Sequence, residues 1–268
     1  MANDNRVRFG LIEGARRIWA IGAIHGECEK LAALHGKIET RFEFGDRLVY
    51  LGNFLGRGPA VIETVDEILM FRRALMARFS LFENDIVFLR GSQEEMWQKL
   101  TQIQIAQDPA QILEWVLAQG VGATMQAYGL SADVARMRCR EGPLALARWS
   151  LVLRESVRAH AGHEALLASV RRAALTETGN ILLVHAGIDT TRPLSAQADS
   201  FWWGAGRFDD IAEPYEGFVR IVRGHDADHG GISIGSVAAT IDAGCGHGGN
   251  LAVACLDSEG AIIEVIEV

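Results

Sequence analysis

Cysteine is scarce in this sequence: Cys28, Cys139, Cys245 and Cys255 are spread over 268 positions, with no CxxC pair and no Cys/His group at zinc-finger spacing. That excludes a disulfide scaffold, and free thiols in a reducing compartment are expected. Proline is scarcer for its usual frequency, at 5, and the glycines show no period, so collagen-like and proline-rich chains are excluded. No apolar run approaches the roughly 18 residues that a membrane-spanning helix needs. Residues 1–17 lack the apolar core of a secretion signal, so a cytoplasmic location is expected. Positive charge is in deficit: 26 Lys and Arg against 34 Asp and Glu leave a net charge of −8. A surface of that sign repels phosphate backbones and anionic lipid, so no nucleic acid and no membrane surface is expected as a partner. What is plentiful is apolar surface, 49% of residues against 22% charged, enough for a sizeable core and incompatible with disorder. A single domain over 1–268 follows, since one core can still serve a chain of this length.

Short apolar runs lead directly into glycine-containing turns. IWAI at 18–21 precedes Gly22, LVYL at 48–51 precedes Gly52, IVFL at 86–89 precedes Arg90-Gly91, ILLV at 181–184 precedes HAG at 185–187, and FVRIV at 218–222 precedes RGH at 223–225. These read as buried strands ended by tight turns. Residues 59–79 place Val61, Val65, Ile68, Leu69 and Leu75 at helical spacing, with Pro59 expected in the first turn. Residues 95–175 are rich in Ala, Leu, Gln and Arg without a strand pattern, and are expected to form a helical cap or insertion. Strands return at 236–242, 251–256 and 261–268, while residues 1–15 are expected to be a flexible N-terminus. This order predicts an α/β sandwich with mixed sheets. No GxSxG elbow and no Walker A loop is present, which excludes two common nucleophile and nucleotide designs.

Ligands in open α/β folds collect at the carboxyl ends of strands, where this chain carries GAIHG (22–26), GNFLGRG (52–58), RGSQE (90–94), HAG (185–187) and GH (224–225). The order of these turns resembles the calcineurin-like metallophosphoesterases, in the branch shared by serine/threonine protein phosphatases and diadenosine tetraphosphatases, whose signature is GDxHG, GDxxDRG, GNHE, HAG or HGG, and GH. FWWGAGRF at 201–208 and IDAGCGHGGNL at 241–251 resemble later segments of the diadenosine tetraphosphatase-like branch. The resemblance runs over 17–268 and implies a four-layer αββα sandwich with a helical insertion, acting on phosphoesters or dinucleoside polyphosphates through two divalent metals (Mn, Fe or Zn).

Carried over residue by residue, the resemblance also shows what is missing. The family's first metal-ligating Asp falls on Ala23, its bridging Asp on Asn53 and its Asn on Ser92, while its histidine ligands are kept as His25, His185 and His225. Two divalent ions about 3.5–4 Å apart repel and need anionic ligands between them. The set here is neutral throughout, so at most one softer ion such as Zn is expected, on the three histidines. His229 and His247 are candidate replacement ligands, and Asp226 and Asp228, just after His225, are the only nearby acids expected to be able to rebuild a metal site. The family's proton-donating His falls on Gln93 and its orienting Asp on Gly56, so the acid machinery is absent. Arg57 stands at the family's phosphate-clamping position and Arg90 precedes the third motif, and both are candidate phosphate-binding residues. Glu94 and Glu95 are expected to open a helix, and Trp202 and Trp203 to pack rather than stack on a base. A degenerate phosphatase that binds a phosphorylated ligand or protein partner is the leading expectation. The alternatives are a residual phosphoesterase on a remodelled single-metal site, and an interaction subunit that works through its helical insertion.

Overall fold

The computed structural model describes residues 9–268. Residues 1–8 of the expected flexible N-terminus lie outside the described residues, but the rest of that segment is not loose chain. It contains β1 (Phe9–Ile12), which pairs in parallel with β5 (Ala173–Thr176). The six-stranded sheet runs β1, β5, β6 (Ile181–Val184), β7 (Arg220–Arg223), β9 (Ala238–Thr240) and β8 (Ser233–Ile234). The five-stranded sheet runs β11 (Ile262–Glu267), β10 (Ala252–Asp257), β2 (Arg17–Ile21), β3 (Asp46–Tyr50) and β4 (Ile86–Phe88). Both are mixed: β2, β3 and β4 are mutually parallel, as are β6, β7 and β9.

The uninterrupted apolar character of the central strands has a simple cause. Each is covered on both faces, so both sets of alternating side chains are buried. On β2 and β3, Ile18, Ala20 and Val49 face the other sheet, meeting Ile181, Leu183 and Val222. Trp19, Ile21, Leu48 and Tyr50 point the other way, into a core shared with α1 (Cys28–Glu39) and α2 (Val61–Phe79). Over the outer face of the six-stranded sheet lies a thin layer, the one-turn α9 (Ser200–Trp203) and neighbouring turns, packed through Phe201, Phe208, Tyr215 and Phe218. Pro59 lies just outside α2, whose N-cap is Ala60, rather than in its first turn.

The helical insertion is present but shorter than expected. It comprises α3 (Ser92–Thr101), α4 (Pro109–Ala118), α5 (Val121–Ala127), α6 (Ala132–Glu141), α7 (Pro143–Arg158) and α8 (His163–Ser169). The chain then turns into β5, although its Ala-Ala-Leu-Thr sequence favours helix; pairing with both β1 and β6 decides its conformation. Helix α2 ties this insertion to the sheets through consecutive carboxylates. Glu67 meets His35 Nδ1 at 2.6 Å, and His35 Nε2 lies 2.9 Å from the Tyr50 hydroxyl. Asp66 meets His163 Nε2 at 3.1 Å, and His163 Nδ1 lies 2.7 Å from the Tyr128 hydroxyl. Among the described residues, no helix is long and apolar enough to cross a membrane.

One buried charge fixes the far end of the five-stranded sheet. Asp46, fully buried, accepts from Arg17 Nε and Nη2 at 2.9 and 2.7 Å, from Trp19 Nε1 at 2.9 Å and from the Glu43 backbone at 3.0 Å. Removing one member of a buried pair strands the other. Asp46→Ala is expected to lower stability by about 3–5 kcal/mol in urea denaturation. Arg16→Ala, which breaks an exposed pair with Glu43, is expected to shift it by less than about 1 kcal/mol.

Candidate functional site

The carboxyl ends of β2, β3 and β4 and those of β6, β7 and β9 open onto the same edge of the molecule, and their turns are bonded to one another. Ile24 and His25 both donate backbone N–H groups to the Asn53 carbonyl, and Ala23 donates across to Gly224 at 2.9 Å. Gly224 and His225 donate to the His185 carbonyl at 3.0 and 2.9 Å. Gly22 is required by proximity: a Cβ there would collide with the Ile241 carbonyl on the opposite sheet. This lattice brings His25, His185 and His225 together as the sequence predicts. The His225 ring lies 5.1 Å from that of His185 and 5.8 Å from that of His25. They stand at and behind a cleft of about 350 Å³.

The dinuclear ligand set that the resemblance implies does not fit this geometry. Ala23 presents a buried methyl group and no donor atom. Asn53 Oδ1 accepts from the Gln93 backbone N–H at 2.8 Å and from the Ser92 hydroxyl at 3.2 Å, so it caps α3 instead of facing an ion. Its amide nitrogen lies 3.3 Å from His25 Nε2. Ser92 is thereby occupied as well. With no carboxylate at position 23 or 53 and the Asn53 amide oxygen committed, nothing anionic stands at these two positions to hold two mutually repelling ions together.

Two of the three histidines, His25 and His185, are held as neutral bases. Burial, then the nearby rings, holds His25 well below the usual imidazole range. Burial takes His185 down to about 3. His185 Nδ1 donates to the Leu51 carbonyl at 2.8 Å, which leaves Nε2 as the lone-pair nitrogen, and that nitrogen is buried without a hydrogen-bond partner. His25 Nδ1, His225 Nδ1 and His229 Nδ1 also lack partners.

Sequence reasoning missed the carboxylate at this cleft. Asp242, two residues beyond β9, is 2% exposed and lies 3.3 Å from His225 Nδ1 and 3.4 Å from His229 Nδ1. Burial pushes its carboxyl up, but His225 and the backbone N–H groups of Asp226 and Gly244 outweigh that and hold it below the ordinary range. The signal was available, since Asp242 follows a buried strand just as His185 and His225 do. Asp226, the acid favoured by sequence proximity, is engaged in its own loop: its carboxylate accepts from the backbone N–H groups of Asp228 and Gly230 and meets Arg223 at 3.3 Å. His247 joins the cluster, its ring centroid 3.9 Å from that of His229.

The remaining candidates divide. Arg57 is exposed on the cleft wall with no ion-pair partner among the described residues. Arg90 is not at this cleft: it pairs with Glu95 at 3.1 Å and lies over Trp202, lining a different depression. Gln93 donates its side-chain amide to the Gln119 carbonyl at 2.9 Å, anchoring the insertion. Gly56 has φ +125°, and a Cβ there would come within 3.0 Å of both Gln93 and His25 Nδ1. Trp202 packs in the outer core, whereas Trp203 is 38% exposed at the cleft and meets Trp115 of α4 edge-on at 5.5 Å.

No protein-family model and no curated protein matches the chain. Solved structures do. A candidate diadenosine tetraphosphatase is 18% identical with TM-score 0.55, over 97% of this chain and 98% of its own. A cold-active protein-tyrosine phosphatase of a psychrophilic Shewanella species is 15% identical with TM-score 0.53, over 95% and 80%. A Saccharomyces cerevisiae serine/threonine phosphatase with similarity to human phosphatase PP5 is 13% identical with TM-score 0.51, over 96% and 80%. The architecture they share with this chain is the metallophosphoesterase fold that the motif order implies.

Glu94, expected only to favour the start of α3, is a keystone of the site. It is buried, and burial raises its pKa against three backbone donors: Asn53 at 2.8 Å, Leu55 at 3.0 Å and Gly91 at 2.8 Å. Glu94→Ala strands all three, at about 1–3 kcal/mol for each buried group left unpaired. A large drop in denaturation midpoint is expected, with faster hydrogen exchange at those amides; an unchanged midpoint would count against this role.

Proposed function

We propose that the chain is a degenerate member of the calcineurin-like metallophosphoesterases, a pseudophosphatase that binds a phosphorylated ligand or protein partner without two-metal hydrolysis. The observation that carries this is the state of Asn53. The family's bridging position is held by an amide whose oxygen closes the N-terminus of α3, beside an Ala23 with nothing to donate. Water activation between two ions needs what both positions have lost. Proton delivery to a leaving group has no source at Gln93, whose amide does not titrate and is held by Gln119. What the cleft keeps is recognition chemistry. Arg57 offers a guanidinium fork suited to phosphate oxygens, without an ion-pair partner among the described residues, in a cleft it shares with His25, His247 and the part-exposed Trp203.

A second reading, a residual phosphoesterase with a single ion, draws on the convergence of imidazoles with unpartnered nitrogens. Turnover separates the two. With Mn, Ni or Zn added, p-nitrophenyl phosphate and diadenosine tetraphosphate are expected to be hydrolysed at background rates. Metal-dependent turnover abolished by His185→Ala would establish the second reading instead. Under the first, Arg57→Ala is expected to weaken binding of inorganic phosphate, measured by calorimetry, without altering the melting temperature.

Restoring the lost carboxylates provides a further test. Ala23→Asp with Asn53→Asp is expected to raise metal uptake above that of the wild type, because both positions sit on turns already fixed by the backbone. Adding Gly56→Asp is expected to lower stability rather than complete the site, since the position is left-handed and the new Cβ crowds Gln93 and His25. Thermal denaturation and metal analysis of the two variants check both halves.

A further inference from the structure

Five of the chain's eight histidines gather at this one cleft, and two of them, His229 and His247, have no counterpart in the inherited ligand set. The chain's path explains how they arrive. β7 and β9 are parallel neighbours with Arg223 opposite Thr240, so the residues two positions beyond each, His225 and Asp242, emerge side by side. The loop after His225 then folds back. Asp226 accepts the Gly230 N–H at 3.1 Å, its carbonyl accepts the His229 N–H at 3.1 Å, and His229 takes φ +50°. The result is that both His225 and His229 direct Nδ1 at one oxygen, Asp242 Oδ2, at 3.3 and 3.4 Å.

Those contacts are not hydrogen bonds: both ring nitrogens are buried and lack a partner of suitable geometry. The same separations suit a different arrangement. Two ligands on a tetrahedral ion with bonds of about 2.0–2.1 Å stand roughly 3.3–3.4 Å apart. The three ligand atoms lie within 4.8 Å of one another. Asp242 is held for such a task, because its Oδ2 accepts the Asp226 N–H and its Oδ1 the Gly244 N–H, each at 2.8 Å, which fixes the carboxylate plane.

We propose that His225 Nδ1, His229 Nδ1 and Asp242 Oδ2 form a mononuclear site for a divalent ion of the zinc class, displaced from the inherited dinuclear position and sharing only His225 with it. Two imidazoles and one carboxylate suit a borderline ion, and the His247 ring, 3.9 Å from that of His229, borders the same place. A single ion beside a buried carboxylate has no second ion to repel it, so this site escapes the repulsion that rules out two ions on the neutral set. The proposal holds whether or not the chain hydrolyses any phosphoester.

The test uses the full-length protein, stripped with chelator and titrated calorimetrically with zinc alone, with cobalt as a spectroscopic reporter. One ion per chain is expected, with the visible absorption of four-coordinate cobalt. His229→Ala and Asp242→Asn are each expected to weaken zinc by at least the ~10–100-fold that loss of a supporting partner costs a metal site. His185→Gln, outside the proposed set, is expected to leave the affinity within a few-fold of wild type. Absence of zinc uptake by the wild-type protein would overturn the proposal without reliance on any variant. So would uptake that survives His229→Ala but is lost in His185→Gln, which would place the ion on the inherited histidines.

Discussion

The two sheets approach so closely at their carboxyl ends that backbone stands against backbone, and the site inherits its form from that contact. At Gly22 even a methyl group would strike the Ile241 carbonyl, and at Gly224 it would strike the Leu51 side chain. Hydrogen bonds then cross from one sheet's turns to the other's, from Ala23 to Gly224 and from His185 Nδ1 to Leu51. Turns fixed this way have little freedom to move, so their side chains keep preset directions whatever chemistry they carry. That is why His25, His185 and His225 converge although positions 23 and 53 beside them carry no carboxylate.

Within this frame the hydrogen-bonding capacity of the second and third turns serves helix capping. Asn53 keeps the shape of an aspartate while losing its charge, and its oxygen satisfies the first turn of α3, where backbone N–H groups would otherwise be unpaired. Glu94 reaches back from that helix to hold three N–H groups of the facing turns. The two exchanges lock the second and third turns together through neutral amides and one buried carboxylate. Negative charge stands instead at Asp242, on the opposite sheet, where His225 and His229 meet it.

The helical insertion is coupled to the same place. Gln93 bonds to the carbonyl of Gln119, and Gly120 lies against the Arg57 side chain so closely that a Cβ would come within 2.7 Å of it. The turn between α4 and α5 therefore sets where Arg57 can reach. Farther out, Asp66 and Glu67 on α2 bind the insertion and the sheet through His163 and His35. A ligand held by Arg57 would touch both parts of the molecule.

The sequence by itself determined the strand ends, the turns and the order in which chemistry-bearing residues meet them, because doubly covered strands must be continuous apolar runs and their turns must be glycine-rich. It also determined what these turns cannot supply, since no surroundings give Ala23 a carboxylate or Gln93 a titratable proton. β1 and β5 escaped notice because a few residues of ambiguous propensity become strand only when neighbours supply hydrogen bonds. Arg90 looked like a phosphate ligand until Glu95 and Trp202 were found to claim it. Asp242 looked like part of a closing strand, and Asp226 like the better acid, because proximity along the chain says nothing about which carboxylate a parallel neighbour brings alongside His225. Tertiary structure alone decided those pairings, for the distances that make a site are set across strands and between sheets rather than along the chain.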